Sequence, residues 1–257
     1  MNRTHSVSKV DQLRGIWHGL KRWVNRRRTI RRNVGGSRFC CNCDCEIRDF
    51  LPSKDGLRNQ VLCPVCGYKP CHRFLQAWFD GHPEIFRRGG CFLHVAPESE
   101  LKAKLRRACG ASGMRYEHGN ISDPTHYLDL EHIQRPDDSV DVLLACHVMN
   151  AVVRDRQCLS EIARVIRPGG LALLPVPLVP DGETADFSEA GQVDKRIQHF
   201  ADPGIMRRYA QNDFIARLEA VGFEVEMSEA SALGEGIARR GEFELEAMPV
   251  AKMPAAG

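Results

Sequence analysis

Seven of the eleven cysteines in this 257-residue chain lie within 32 residues, between Cys40 and Cys71. Two pairs have the C-x2-C spacing, Cys40 with Cys43 and Cys63 with Cys66, and 19 residues separate the two pairs. Each pair can bring two thiolates to one metal ion, and together they complete a tetrahedron with Zn–S bonds of roughly 2.3 Å. Because four thiolates leave no open position for a substrate, the pattern predicts a structural zinc site.

The other interpretations of these cysteines are disulfide bonds, redox or iron–sulfur chemistry, and free thiols. Basic residues near the N-terminus are not followed by an apolar run, so we expect a cytoplasmic protein whose thiols are reduced. No stretch approaches the roughly 18 to 20 apolar residues of a transmembrane segment. The zinc ligand set stays open because further candidate ligands are close in sequence: Cys41, Cys45, Cys71 and His72.

Beyond the cysteine-rich stretch, short apolar strands alternate with amphipathic helices. The strands are expected near residues 90–96, 114–118, 139–146, 171–176, 223–227 and 242–248, and the helices near 98–109, 155–166 and 213–221. This alternation is typical of βαβ units and predicts an α/β fold with a doubly wound, mostly parallel sheet. In such a fold ligands bind at the carboxyl ends of the central strands, here near residues 94–98, 118–120, 129–130 and 146–150.

The charge of the chain is divided unevenly. Residues 1–38 carry eleven basic residues and one acidic residue, a net charge of +10, whereas residues 39–257 carry 25 basic and 32 acidic residues, a net charge of −7. An amphipathic helix is predicted over residues 8–32, followed by a glycine linker. Its arginine face has three interpretations: a solvated surface, a contact with nucleic acid or an acidic membrane, or a contact with an acidic partner.

Three segments of the second half resemble the C-terminal half of class I S-adenosylmethionine-dependent methyltransferases. They are Ser139–Val142, Glu161–Gly170 with its Arg-Pro-Gly-Gly turn, and Leu218–Phe223. Cys63–Gly67, the dipeptide His72-Arg73 and the stretch Leu93–Glu98 further resemble a branch of these enzymes that carries an N-terminal four-cysteine, zinc-ribbon-like module.

This resemblance implies a seven-stranded Rossmann-like sheet whose last strand is antiparallel, preceded by a small zinc-ribbon module and a basic N-terminal helix. The expected boundaries are 1–36 for the helix and linker, 37–75 for the module, 76–250 for the methyltransferase domain and 251–257 for a tail. The implied cofactor is S-adenosylmethionine. The implied reaction transfers its methyl group to an oxygen or nitrogen of a small-molecule or glycan-like acceptor.

The resemblance also assigns residues to the site. His94 to Glu98 would pass beneath the methionine part of the cofactor, Asp129-Leu130 would meet the adenine, and Cys146-His147 would face the reacting end. The cofactor-binding set is His94, Ala96, Glu98, Asn120, Asp129, Leu130 and Cys146, and the catalytic set is His147, His199, Arg207 and Tyr209. Alternatively, Asp129 caps a turn, and His94 and Cys146 are ordinary core residues.

The sequence departs from the family pattern at three places. Asn120, with Glu117 and Asp123 as neighbours, stands where relatives place a carboxylate for the ribose hydroxyls. An asparagine and an alanine, Asn150 and Ala151, replace an acid and a second histidine. Ile205 replaces another histidine, which leaves His199 as the nearby candidate base. Departures at site positions favour a changed substrate over lost catalysis, because the core strands are well formed.

Two other functions compete with the enzyme. A degenerate methyltransferase fold with a zinc ribbon could act as a non-catalytic adaptor that presents the basic helix to a partner. A nucleic-acid binder or methyltransferase is the third hypothesis, since arginines beside a zinc ribbon can contact phosphates. The third is not favoured, because aromatic residues are only 7% of the chain and the acidic body repels a phosphate backbone. No feature of the sequence predicts an oligomeric state.

Overall fold

The computed structural model describes residues 27–53, 59–243 and 246–255. Residues 8–26 of the expected basic helix therefore lie outside the described residues, while residues 27–33 are helical. The chain divides into two compact units, Met1–Ala77 with Leu233–Glu244 and Trp78–Ala232 with Leu245–Gly257. Residues 233–244 thus belong to the first unit, although the sequence suggested that they were part of the 76–250 domain. No described helix is long and apolar enough to cross a membrane.

The first unit contains a β-hairpin and the cysteine-rich segment. Strands β1 (Val34–Cys40) and β2 (Cys45–Ile47) pair antiparallel, with Cys40 opposite Cys45. The expected glycine linker is therefore part of a strand. Gly36 is needed there, since a Cβ at this position would lie 2.5 Å from Ile47 O. Helices α1 (Pro70–Gly81) and α6 (Glu235–Gly241) complete the named elements of this part of the chain.

A buried arginine organises the first unit. The side chain of Arg73 is fully buried, and its Nε donates to Gly241 O at 2.6 Å. Nη1 donates to Val61 O at 2.9 Å and to Tyr68 O at 2.7 Å, and the guanidinium carbon lies 3.8 Å from the centre of the Phe50 ring. Arg73 therefore connects the segment that carries the second cysteine pair to α6, a role that sequence analysis did not assign to it.

The second unit is built on a six-stranded sheet in the order β10-β11-β6-β5-β3-β4. The strands β4, β3, β5 and β6 are parallel neighbours, while β11 lies between β10 and β6 and runs antiparallel to both. The mostly parallel sheet with an antiparallel last strand is confirmed; the expected seventh strand is not among the described residues of this sheet. The bounds are Cys91–Val95 for β3, Arg115–Gly119 for β4, Val140–Ala145 for β5, Ile166–Leu173 for β6, Glu224–Glu229 for β10 and Ala247–Lys252 for β11.

Helices connect these strands and cover the apolar core. Helix α2 (Ser99–Ser112) joins β3 to β4, α3 (Asp155–Val165) joins β5 to β6, and α5 (Gln211–Glu219) precedes β10. Cys158, Leu159, Ile162 and Val165 of α3 recur at helical spacing and are fully buried. Burial of such a side chain stabilises a fold by about 1.5–3 kcal/mol relative to leaving it in water. The apolar core packed under α3 therefore holds in place the strand ends that form the candidate site.

An insertion between β6 and α5, residues 177–210, forms a small separate layer. It contains β7 (Leu178–Val179), β8 (Ala185–Asp186), α4 (Val193–Phe200) and β9 (Arg207–Ala210), with the strands in the order β7-β9-β8. Segments of this kind vary among proteins of one fold and commonly carry specificity.

Candidate site at the carboxyl edge of the sheet

The register of three parallel strands brings the predicted cofactor residues to one edge of the sheet. Val95 of β3 pairs with Gly119 of β4 on one side and with Ala145 of β5 on the other. The next residues along the chain, Ala96, Asn120 and Cys146, therefore follow neighbouring strand ends. This is the edge at which open α/β sheets bind ligands.

The segment after β3 is tightly held. His94 is fully buried; its Nδ1 lies 2.8 Å from the hydroxyl of Tyr116, and its Nε2 lies 3.9 Å from Glu98 Oε2. Burial raises the pKa of Tyr116 above its ordinary value. Ala96 has a φ of 47° and donates its backbone N–H to Gly119 O at 2.7 Å, so the chain turns sharply where it leaves the strand. His94 is thus a core histidine that contacts Glu98, at the start of α2.

The end of β4 is engaged in a loop. Asn120 Oδ1 accepts the N–H of Ser122 at 3.1 Å, and Asn120 donates its own N–H to His126 O at 2.9 Å. Neither nearby carboxylate replaces the missing ribose acceptor: Glu117 pairs with Arg135, and Asp123 accepts the backbone N–H groups of residues 125 and 126. The hydrogen bonds to Arg135 lower the pKa of Glu117.

The two residues predicted to meet the adenine, Asp129 and Leu130, lie in the loop that follows β4. Asp129 Oδ1 accepts the N–H of Glu131 at 2.9 Å, which caps a turn, and its other carboxylate oxygen makes no hydrogen bond among those of the described residues. Leu130 is only 4% exposed and belongs to the apolar core. The side chain of Leu130 therefore anchors the loop in the core.

The residues after β5 differ in exposure. Cys146 is buried, whereas His147 is exposed and adopts a φ of 54° while donating its N–H to Pro175 O at 2.8 Å. This turn presents the imidazole at the edge of the sheet. His199 is also exposed, on α4 of the insertion, and its ring centre lies 4.7 Å from that of Phe187.

The contacts of Arg207 and Tyr209 do not support the expectation that they act on a substrate. Arg207 is 2% exposed and donates to Asp186 at 3.0 Å and to the carbonyls of Val152 and Val153 at 2.6 and 2.8 Å. These bonds fasten the insertion to the loop after β5. The physical reason is that Arg207 is buried and each of its three guanidinium nitrogens donates to an acceptor of the protein, which holds the side chain in the protein interior.

Tyr209 belongs to the same buried network. Its hydroxyl lies 3.0 Å from both Met149 O and Asp155 Oδ2, and Asp155 also accepts from Arg217 Nη1 at 2.5 Å. Burial, with Asp155 adding to it, raises the pKa of Tyr209 far above its ordinary value. Asp155 was missed in the sequence, where it looked like an ordinary acidic residue at the start of a helix.

The four sulfurs of the two C-x2-C pairs form one cluster in the first unit. All four Sγ atoms of Cys40, Cys43, Cys63 and Cys66 lie within 4.8 Å of one another, with Cys40 to Cys66 at 3.6 Å and Cys43 to Cys63 at 3.7 Å. The hydrogen bond with Cys40 raises the pKa of the Cys43 thiol, while hydrogen bonds with the Cys40 and Cys43 thiols lower that of Cys66. Packed this closely, the thiols cannot all ionise without a cation among them.

Two other cysteines of this segment, Cys41 and Cys45, bond to backbone carbonyls. Cys41 Sγ donates to Arg73 O at 3.2 Å, and Cys45 Sγ donates to Cys43 O at 3.3 Å. Both thiols therefore have backbone acceptors, and the group of four clustered sulfurs includes none of the further candidates Cys41, Cys45, Cys71 and His72.

Comparison with known proteins finds similarity over the parallel part of the sheet. Residues 89–174 match the family model described as a methyltransferase domain. No relative is found among curated protein sequences. The [4+2]-cyclase SpnF superposes with a TM-score of 0.52 at 13% identity, covering 72% of this chain and 82% of SpnF. This likeness establishes a shared Rossmann-like fold, and a fold can host more than one reaction.

Two further structures are similar at lower scores. One is the complex between the Haloferax volcanii Trm112 methyltransferase activator and the putative methyltransferase, with 14% identity, a TM-score of 0.48 and coverage of 72% of this chain and 97% of the matched chain. The other is a SAM-dependent methyltransferase from Archaeoglobus fulgidus, with 13% identity, a TM-score of 0.47 and coverage of 69% of this chain and 92% of that chain.

Proposed function

We propose that this protein is an S-adenosylmethionine-dependent methyltransferase that acts on an oxygen or nitrogen of a small-molecule or glycan-like acceptor. The observation that carries the proposal is the match of residues 89–174 to a methyltransferase-domain model. The matched segment begins just before β3 and ends just after β6, so it contains all four parallel strands and the edge at which their ligand site lies.

The groups at this edge fit an adenosyl cofactor, except that an asparagine replaces the carboxylate for the ribose hydroxyls. The turn at Ala96 brings the backbone after β3 to the edge, and Asp129 keeps one carboxylate oxygen for the adenine amino group. Asn120 Oδ1 already accepts one N–H, and an amide oxygen has two lone pairs, so it can accept one ribose hydroxyl where a carboxylate would accept two. We therefore expect binding that is weaker than a carboxylate would give.

The bound cofactor supplies an electrophilic methyl group on a sulfonium, and the protein supplies position and proton transfer. Two exposed histidines are the candidates to accept the acceptor's proton: His147, at the turn after β5, and His199, on α4 of the insertion. The insertion contributes the acceptor pocket. The net charge of −7 over residues 39–257 supports an acceptor that is not a long polyanion.

We propose that Cys40, Cys43, Cys63 and Cys66 hold a structural zinc ion. A tetrahedron with Zn–S bonds of about 2.3 Å has sulfur–sulfur edges of about 3.8 Å, which is close to the 3.6 and 3.7 Å separations in the cluster. Four thiolates close the coordination shell, so the ion supports folding of the first unit. Reduced thiols at this site suit a cytoplasmic location.

Calorimetric titration of the purified full-length protein with S-adenosylmethionine and S-adenosylhomocysteine tests the cofactor. We expect saturable binding, and we expect Asn120→Asp to tighten it about tenfold by adding an acceptor oxygen and a charge. Asn212→Asp, an exposed position on α5, is the matched control and should leave affinity unchanged. The absence of heat and of a thermal shift at millimolar cofactor would overturn the proposal and favour the adaptor hypothesis.

A further inference from the structure

Helix α4 of the insertion buries an arginine and exposes its apolar residues. Arg196 is 9% exposed, while Val193 and Ile197 on the same helix are 42% and 49% exposed. Arg196 Nη1 lies 2.6 Å from the thioether sulfur of Met206, which is a weak acceptor. Its Nε is buried and has no hydrogen-bond partner among the described residues.

The two other buried arginines of the described residues have strong hydrogen-bond acceptors that Arg196 lacks. Arg207 is paired with Asp186 at 3.0 Å and with two carbonyl oxygens, and Arg73 donates to several carbonyl oxygens. No carboxylate of the described residues lies within ion-pair distance of Arg196. A guanidinium that is buried without an anion or carbonyl acceptors loses hydration without compensating hydrogen bonds, and a bound anion would supply them.

Two residues linked to Arg196 also have buried amide oxygens without a described partner, Asn150 through Met206 and Gln192 through its position on the chain. Asn150 is 3% exposed, its carbonyl accepts the N–H of Met206 at 2.8 Å, and its Oδ1 has no partner among the described residues. Gln192, one turn before Arg196 on the chain, directs Nε2 to Glu189 at 2.9 Å and leaves its Oε1 buried and likewise without a described partner. Met206 thus connects the unsatisfied guanidinium to the backbone of a residue whose buried side-chain oxygen is also unsatisfied, whereas native proteins satisfy nearly all such atoms.

We propose that Arg196 is the centre of an oxyanion subsite that binds a carboxylate or phosphate group of the acceptor. A guanidinium matches either group through two parallel hydrogen bonds, and a partly dehydrated site strengthens them. Asn150 lies in the loop that follows β5 and also contains His147, so an anion at Arg196 places the acceptor at the carboxyl edge. Asn150 Oδ1 accepts a hydrogen bond from a hydroxyl or amino group of the same molecule. The acceptor role rests on the proposed methyltransferase function; the anion site itself does not.

Thermal unfolding of the full-length protein tests the anion site without a cofactor. Sodium phosphate and sodium acetate are titrated against sodium chloride at constant ionic strength. We expect at least one of these oxyanions to give a saturable rise in Tm that chloride does not give. Arg196→Gln should weaken the apparent affinity at least about tenfold. Arg208→Gln, an exposed arginine on β9 of the same insertion, is the matched control and should respond like the wild type.

The outcomes separate this proposal from the proposed function. A Tm that does not respond to either oxyanion overturns the anion site even if Arg196→Gln fails to fold, and so does an unchanged response in a folded Arg196→Gln variant. S-adenosylmethionine binding is measured by calorimetry on the same samples and should be equal in the wild type and in Arg196→Gln. If the anion response is present and the cofactor does not bind, the site stands and the methyltransferase proposal fails.

Discussion

The hydroxyl of Tyr209 has one proton and two acceptors, Met149 O and Asp155 Oδ2, each 3.0 Å away in a fully buried position. Tyr209→Phe removes this bond and leaves both acceptors less satisfied. We expect the free energy of unfolding to fall by about 1–2 kcal/mol, measured by urea denaturation. Because the hydroxyl is buried and bonded to acceptors of the protein, the affinity for S-adenosylmethionine should not change.

Tyr127 provides the control for Tyr209. Its side chain is 56% exposed, so Tyr127→Phe should change the free energy of unfolding by no more than about 0.5 kcal/mol. If Tyr209→Phe retained full stability and lost methyl transfer, the hydroxyl would act on the substrate, and the structural role assigned to it would be wrong.

Gly119 ends β4 at a place with no room for a side chain. A Cβ there would lie 2.4 Å from Leu128 Cβ and 2.8 Å from His126 O. Gly119→Ala must therefore displace the loop that holds Asn120 and leads to Asp129. We expect weaker cofactor binding by calorimetry, with a smaller effect on Tm than on affinity.

Gly110 is the matched position for that substitution. It lies within α2, and a Cβ there meets nothing within 4 Å, so Gly110→Ala should stabilise the helix by about 0.5–1 kcal/mol. Cofactor affinity should stay at the wild-type value. Equal cofactor affinity in Gly119→Ala and Gly110→Ala would show that the 120–128 loop does not form part of the cofactor site.

At the scale of elements, the strands with strong apolar patterns were predicted nearly to the residue, and the two that contain proline were not. The alternation near 242–248 suggested a last strand ending before Pro249, but β11 is Ala247–Lys252. Pro249 pairs with Met227 of β10, while the pairing with β6 begins only at Val250. The pairing between β11 and β6 therefore does not need the missing N–H of Pro249. The local sequence pattern does not reveal this, because it depends on which strand lies beside the proline.

Strand β6 differs from its prediction for a related reason. The Arg-Pro-Gly-Gly turn suggested a stop between a helix and a strand, yet β6 runs from Ile166 through this turn to Leu173. The register skips, with Val140 opposite Ile166 and Val142 opposite Leu171, and Gly169 has a φ of 74°.

The departures from the family pattern at site positions were visible in the sequence as residue types. Which of these side chains are buried and hydrogen-bonded could not be predicted, because that depends on tertiary contacts.

The two C-x2-C pairs predict which cysteine substitutions remove the zinc ion. Cys66→Ser removes one sulfur of the cluster, so the variant should lose its zinc, measured by elemental analysis, and lose at least about 2 kcal/mol of stability. Cys45→Ser is the control, because that sulfur donates to Cys43 O at 3.3 Å and is not one of the four clustered sulfurs. Equal zinc content in both variants would refute the ligand assignment.

For the whole molecule, the separation of charge predicts how the chain meets a polyanion. The first 38 residues carry +10 against −7 for the rest, so non-specific attraction to DNA should depend on that segment alone. Affinity for duplex DNA falls with salt at a logarithmic slope of about −0.9 per phosphate neutralised. Replacing five arginines of the segment by glutamine should therefore flatten the slope by up to about 4.5. These arginines are Arg26, Arg27, Arg28, Arg31 and Arg32.

A control variant with five other arginines replaced decides whether the position of the charges or the total charge governs DNA binding. Five exposed arginines of the second unit are suitable: Arg87, Arg88, Arg106, Arg107 and Arg208. Their replacement by glutamine changes the net charge equally but lies within the acidic part of the chain. Fluorescence anisotropy at several salt concentrations should give a slope close to wild type for this control, with unchanged cofactor affinity in both variants. If both sets flatten the slope equally, total charge governs the attraction and the N-terminal segment has no special part in it.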